Sequence, residues 1–228
     1  MTRLPDARPV VCLVTDRRRL SPHTAEADAC AHLIEQVAAA ARAGIHLVQV
    51  REPDLTDAAL YALVTRCLIA AAGTPCRVLV NDRPDVALAS RSHGVHFRAD
   101  GYPARRIRDI APDTFIIGRS VHDAREAAEI REEGSVDYLL FGTVFPTASK
   151  PPGHAAAGVA GLKAAVEAGG SLPVLGIGGM TAGRAADAAR CGAAGLAGIG
   201  LFLETDAAAL GQTVRAVQRS FDSSSVFH

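Results

Sequence analysis

Tryptophan is absent from this 228-residue chain, and aromatic residues make up only 4% of it. No run of about 18 apolar residues occurs, so no membrane-spanning helix is expected. The opening Met1-Thr2-Arg3-Leu4-Pro5-Asp6 has no uninterrupted apolar core and does not read as a secretory signal. Neither sign of charge is in excess: Lys plus Arg is 24, Asp plus Glu is 24, and the net charge is +0. That balance argues against a protein that works by holding nucleic acid. No two cysteines have C-x-x-C spacing, and the five (Cys12, Cys30, Cys67, Cys76, Cys191) are odd in number. Buried free thiols in a reducing cytoplasm are therefore expected rather than a disulfide framework or a zinc site. Hydrophobic residues, by contrast, make up 49% of the chain and charged ones 21%, which excludes disorder and supplies a sizeable core.

Short apolar runs alternate with Ala-rich helical stretches. The runs are Val10–Asp16, His46–Arg51, Arg77–Asp82, Gly94–Phe97, Thr114–Gly118, Asp137–Gly142, Pro173–Gly178 and Gly195–Gly200. Helices are expected over about 25–43, 56–73, 84–90, 103–110, 123–133 and 206–221, with a fraying tail at 222–228. The runs are continuously apolar rather than alternating, the pattern of strands covered on both faces of a parallel sheet. Eight such strands with helical sequence between them predict an α/β fold, a single (β/α)8 TIM barrel over about 10–221, with no second domain. A doubly wound sheet is the alternative, but Gly176-Ile177-Gly178-Gly179 lacks the third glycine of the dinucleotide fingerprint. The long loop at 143–158 is a candidate lid.

A barrel gathers its chemistry at the C-terminal ends of its strands. Here those ends carry Gln49 and Arg51, Asn81 and Asp82, His96, then Arg119, Ser120 and His122, and next Thr147, Ser149 and Lys150. Gly178, Gly179 and Gly200 beside Ile199 allow the close backbone approach that phosphate binding needs, or are simply tight turns. Thr147, Ser149 and Lys150 suit a phosphate or pyrophosphate clamp, or form a solvated loop. His122 suits proton transfer near neutrality, or caps the following helix. His96 suits substrate binding, as Ser120 does, or is a core histidine bonded to backbone groups. Asn81 and Asp82 suit Mg²⁺, unless Asp82 caps the helix near Pro84.

Several segments in order resemble the motifs of the thiamine phosphate synthase/TenI superfamily. They are Val48-Gln49-Val50-Arg51-Glu52, Val80-Asn81-Asp82-Arg83, Gly94-Val95-His96, Ile117-Gly118-Arg119-Ser120-Val121-His122, Asp137-Tyr138-Leu139-Leu140-Phe141-Gly142, Phe145-Pro146-Thr147-Ala148-Ser149-Lys150 and Gly176-Ile177-Gly178-Gly179-Met180. The resemblance implies a small-molecule thiazole phosphate as binding partner. It implies one of two activities. A thiazole tautomerase aromatises the carboxythiazole phosphate by a proton shift without metal. A Mg²⁺-dependent synthase joins hydroxymethylpyrimidine pyrophosphate to the thiazole phosphate and releases pyrophosphate.

The synthase motif Gln-x-Arg-x-Lys is matched by Gln49 and Arg51, but Pro53 stands at the Lys. Its second magnesium Asp falls at Gly101, with Asp100 one residue short, and Arg98 replaces a usual Gly. These departures point first to the tautomerase, with His122 moving the proton and Arg119 or Arg51 holding the carboxylate. The synthase, with Asp82 on the metal, is the alternative. A third reading is a non-catalytic binder of thiazole or thiamine phosphates. The free thiols point to the cytoplasm, and apolar faces could serve a homo-oligomer.

Overall fold

The computed structural model describes residues 3–147 and 155–223. Eight parallel strands close on themselves in sequence order: β1 (Val10–Val14), β2 (Leu47–Val50), β3 (Arg77–Asn81), β4 (Gly94–Phe97), β5 (Ile116–Val121), β6 (Tyr138–Phe141), β7 (Val174–Gly176) and β8 (Gly195–Gly198). β8 pairs back onto β1 through Val10 opposite Gly195. This is the (β/α)8 barrel the apolar runs predict. Successive strand residues point to opposite faces, which builds two cores. Val10, Cys12, Leu47, Leu79, Ile116, Tyr138, Leu140 and Leu175 fill the barrel. Val11, Leu13, Val48, Val78, Val80, Ile117, Leu139 and Leu196 face the helices.

Around the barrel run α1 (Arg17–Leu20), α2 (Glu26–Arg42), α3 (Asp57–Ala71), α4 (Pro84–Ala89), α5 (Ala104–Arg108), α6 (Ala124–Glu133), α7 (Gly158–Gly169), α8 (Ala185–Arg190) and α9 (Ala207–Asp222). Local chemistry starts several of them. Thr56, Asp123 and Asp206 each accept a backbone N–H three residues on, as N-caps do. No described helix is long and apolar enough to cross a membrane.

The structure departs from the sequence reading in several respects: α7 and α8 lie outside the expected helices, β5 is shifted and α1 is new. β5 begins at Ile116 and runs on to Val121, rather than spanning 114–118, because Arg119, Ser120 and Val121 pair with Leu139, Leu140 and Phe141 of β6. α1 is an added element: its Arg17-Arg18-Arg19-Leu20 carries no apolar period, and the turn is set instead by Asp16, whose carboxylate accepts Arg19 N.

At the N-terminal end of the barrel a recurring clasp joins strands in pairs. The residue just before β2, His46, accepts Val11 N of β1 through Nδ1 at 3.0 Å. Before β4, His93 accepts Val78 N of β3 in the same way at 3.0 Å. Before β6, Asp137 accepts Ile117 N of β5 at 2.7 Å and pairs with Arg108 at 2.6 Å. The corresponding residue before β8 is Ala194.

Candidate functional site

The opposite, C-terminal end gathers the polar residues. Gln49 and Asn81 share the inward parity of Leu47 and Leu79, and Gln49 Nε2 donates to Asn81 Oδ1 at 2.7 Å. Asn81 Nδ2 in turn donates to Asp82 Oδ2 at 3.1 Å. The row runs along the rim from β2 to the end of β3. Gln49 Oε1 is buried and has no hydrogen-bond partner among the described residues. Arg51, just past β2, is exposed, and its side chain forms no ion pair among the described residues.

A buried ionic knot fixes the base of this rim. Arg17 is almost wholly enclosed, bonding Glu52 at 2.9 Å and Asp54 at 2.6 Å. Glu52 also accepts the Thr15 hydroxyl at 2.6 Å, and Thr15 Oγ1 accepts Arg51 N at 3.0 Å. Burial pushes the Glu52 carboxyl up, opposed by the Thr15 and Arg17 bonds. The guanidinium of Arg17 holds Asp54 well below the usual carboxylate range. The knot ties the β1–α1 turn to the backbone that presents Arg51.

α1 also carries Arg19, which the sequence reading missed. Its Nη2 lies 3.2 Å from where a Cβ on Gly200 would sit. Its guanidinium forms no ion pair among the described residues. Only its place in an arginine run could have drawn attention to it.

Across the mouth, Gly178 and Gly179 have φ of +98° and +61°. A Cβ on Gly179 would stand 2.5 Å from Pro146 O. The close approach these glycines allow thus serves the β6–α7 loop: Phe145 N donates to Gly178 O at 3.0 Å, and Arg184 lies 4.4 Å over the Phe145 ring. The N–H groups of Gly178 and Gly179 have no acceptor among the described residues, which leaves two donors for an anion. Ile199 precedes a 3-10 turn at Gly200–Phe202, and Gly200 is exposed. Thr147 is described and engaged. Ser149, Lys150 and the rest of 148–154 lie outside the described residues, and with them the centre of the expected lid.

His122 stands just beyond β5, exposed, with Nδ1 2.7 Å from the Gly142 carbonyl. A carbonyl only accepts, so Nδ1 carries a proton, and in the neutral ring Nε2 keeps its lone pair. The helix cap is Asp123 rather than His122, with Glu126 reaching back to His122 N at 2.7 Å.

Two sequence assignments change. Arg119 was expected to hold a substrate carboxylate, but strand alternation turns it outward with Ile117 and Val121, away from the inward Gly118 and Ser120. It is 4% exposed, and its guanidinium donates to the carbonyls of Arg98, Ala99, Gly101 and Tyr102. Arg119 therefore shapes the loop after β4. His96 was expected to bond backbone groups. It bonds two side chains instead: Nδ1 meets Tyr138 Oη and Nε2 meets Ser120 Oγ, each at 2.9 Å. Burial, helped by the Arg119 charge, pushes its pKa down to about 3, so the ring is neutral.

The chain matches the thiamine monophosphate synthase family over residues 13–202. The chain belongs to that family. It is 38% identical over 195 residues to the thiamine-phosphate synthase of Roseiflexus castenholzii, covering 85% of this chain and 80% of that one. It is 35% identical over 171 residues to that of Methanospirillum hungatei, covering 75% and 82%. Its fold superimposes on the thiamine phosphate pyrophosphorylase from Pyrococcus furiosus with a TM-score of 0.76 and 28% identity, over 95% of this chain and 96% of that one. As a member of the thiamine monophosphate synthase family it is a thiamine-biosynthesis protein.

The metal position implied by the family resemblance can be tested on its donors. Asp82, at φ +55°, turns its carboxylate toward the loop after β4. Oδ1 accepts Arg98 N, and Oδ2 pairs with Arg98 Nε, both at 2.8 Å. Asp100 is 84% exposed and lies 3.7 Å from that same Nε. No group of three His, Cys, Asp or Glu suited to a metal occurs among the described residues. The arrangement does not fit Mg²⁺, because a guanidinium takes the place between the carboxylates that the ion would fill. Asp82 does not cap α4 either, whose N-cap position is Arg83.

Proposed function

We propose that this protein is a thiamine phosphate synthase. The ring nitrogen of thiazole phosphate forms a bond to the methylene carbon of hydroxymethylpyrimidine pyrophosphate, and the C–O bond to pyrophosphate breaks. The observation that carries this reading is the rim row Gln49–Asn81–Asp82, whose amides offer donors and acceptors suited to an aminopyrimidine. The names of the relatives support it. The thiazole phosphate rests on the backbone of Gly178, Gly179, Ile199 and Gly200 with Arg19 alongside. Arg51, Thr147, Ser149 and Lys150 meet the pyrophosphate. No step is assigned to a metal.

The test supplies both substrates, with and without Mg²⁺, and measures thiamine phosphate and pyrophosphate in equal amounts. Absence of product, against an active synthase as control, would sink the reading. A second reading, the thiazole tautomerase, is favoured by two observations: Arg98 neutralises Asp82, and His122 holds Nε2 available as a base. It requires aromatisation of the carboxythiazole tautomer by this chain alone, lost in His122→Gln.

A further inference from the structure

Three neighbouring strands place three polar groups inside the barrel where apolar side chains would otherwise meet. His96 on β4 stands opposite Gly118 on β5, and Gly118 stands opposite Tyr138 on β6. Gly118 is the gap that lets the outer two touch across the middle strand. A Cβ there would run into the Tyr138 ring and come within 2.6 Å of His96 Nδ1. One step further along β5, on the same face, lies Ser120, bonded to His96 Nε2.

We propose that Tyr138, acting through His96, fixes Ser120 as a hydrogen-bond donor toward the mouth of the barrel. The argument is one of proton counting. Tyr138 is fully buried, and His96 Nδ1 is the hydrogen-bond partner of its hydroxyl among the described residues. Had Nδ1 carried the hydrogen, the phenol proton would be buried without an acceptor, which is costly. The phenol therefore donates to Nδ1. A neutral imidazole has one N–H, which must then sit on Nε2 and donate to Ser120 Oγ. With that lone pair occupied, the Ser120 proton is free to point away from the ring. Ser120 is half-buried at the C-terminal end of β5, so that direction is the mouth. The group it would meet is a hydrogen-bond acceptor on the substrate. Tyr138 and His96 are positioning residues, and Ser120 makes the contact. The inference rests on the proposed function only in taking the mouth as the place where substrate binds.

The first measurement needs no substrate. In ¹⁵N-histidine protein near neutral pH, two-bond proton–nitrogen spectra report the tautomer of His96, identified as the signal absent from His96→Asn. The expected result is a neutral ring protonated at Nε2. An Nδ1-protonated ring, or an imidazolium, overturns the proposal whatever the enzyme makes. The second measurement is a double-mutant cycle on turnover. Ser120→Ala lowers kcat roughly 10-fold, the worth of one well-placed hydrogen bond. Tyr138→Phe lowers kcat while the KM for thiazole phosphate stays within about twofold. The double variant is no slower than Ser120→Ala alone, because Tyr138 acts through Ser120. Independent, multiplying losses would show Tyr138 to be packing only, and would overturn the proposal.

Discussion

Asp82 and Arg98 are the residues on which metal binding turns. The guanidinium pairs with Oδ2 while the Arg98 backbone N–H holds Oδ1, so replacing the side chain frees Oδ2 from its cation and changes what Asp82 can hold. Arg98→Ala should leave Asp82 open to a hard cation. The expected outcome is a Mg²⁺-dependent rise in melting temperature in the variant, larger than any in the parent protein. Asp82→Ala should lower synthase turnover at least 10-fold if the rim row binds the pyrimidine; unchanged turnover would remove Asp82 from the site. The motif order made Asp82, Asn81, Gln49 and His122 legible from sequence. The role of Arg119 was not, because the run Arg119-Ser120 does not show where strand β5 ends. Only the observed register, Phe97 opposite Arg119, fixes which of the two faces inward.

At the level of elements, the strands were readable because a strand covered on both faces must be apolar throughout. The turn of α1 was not, since its four residues carry no apolar period, and it is set by the Asp16 cap and tied down by Arg17 bonding Glu52 and Asp54 some 35 positions away. Arg17 and Glu52 are both almost wholly buried, and removal of Arg17 leaves the Glu52 carboxylate without its cation. Arg17→Met should destabilise the fold by about 3–5 kcal/mol in urea unfolding. The double change Arg17→Met with Glu52→Leu should recover much of that loss, as exchange of a buried pair for apolar residues often does. Because the same knot bonds Arg51 N through Thr15, Glu52→Leu should also raise the KM of whichever anionic substrate Arg51 meets.

For the whole molecule, the clasps beneath the barrel predict a pH dependence. Burial lowers the pKa of His46, and burial with the Arg77 charge lowers that of His93, both from 6.5. Each ring also accepts a backbone N–H through Nδ1, which an imidazolium cannot do. A group whose native pKa is depressed gives stability that is complete above its unfolded pKa and is lost as pH falls through the native one. Thermal unfolding should therefore be level above about pH 6.5 and decline below it. His46→Gln with His93→Gln should flatten that decline. The thiols give a second check on packing, since burial raises the pKa of Cys12 and Cys67 and pushes Cys76 up to about 12. A thiol reagent near pH 8 should label the native chain slowly and all five cysteines promptly in urea. The clasps carry one more consequence. They join β1 to β2, β3 to β4 and β5 to β6, but never an even strand to the odd strand after it. A chain divided at Gly73–Thr74 keeps each clasp inside one piece, whereas division at Ala43–Gly44 parts His46 from Val11. Two fragments cut at the first place should reassemble into a barrel more readily than two cut at the second.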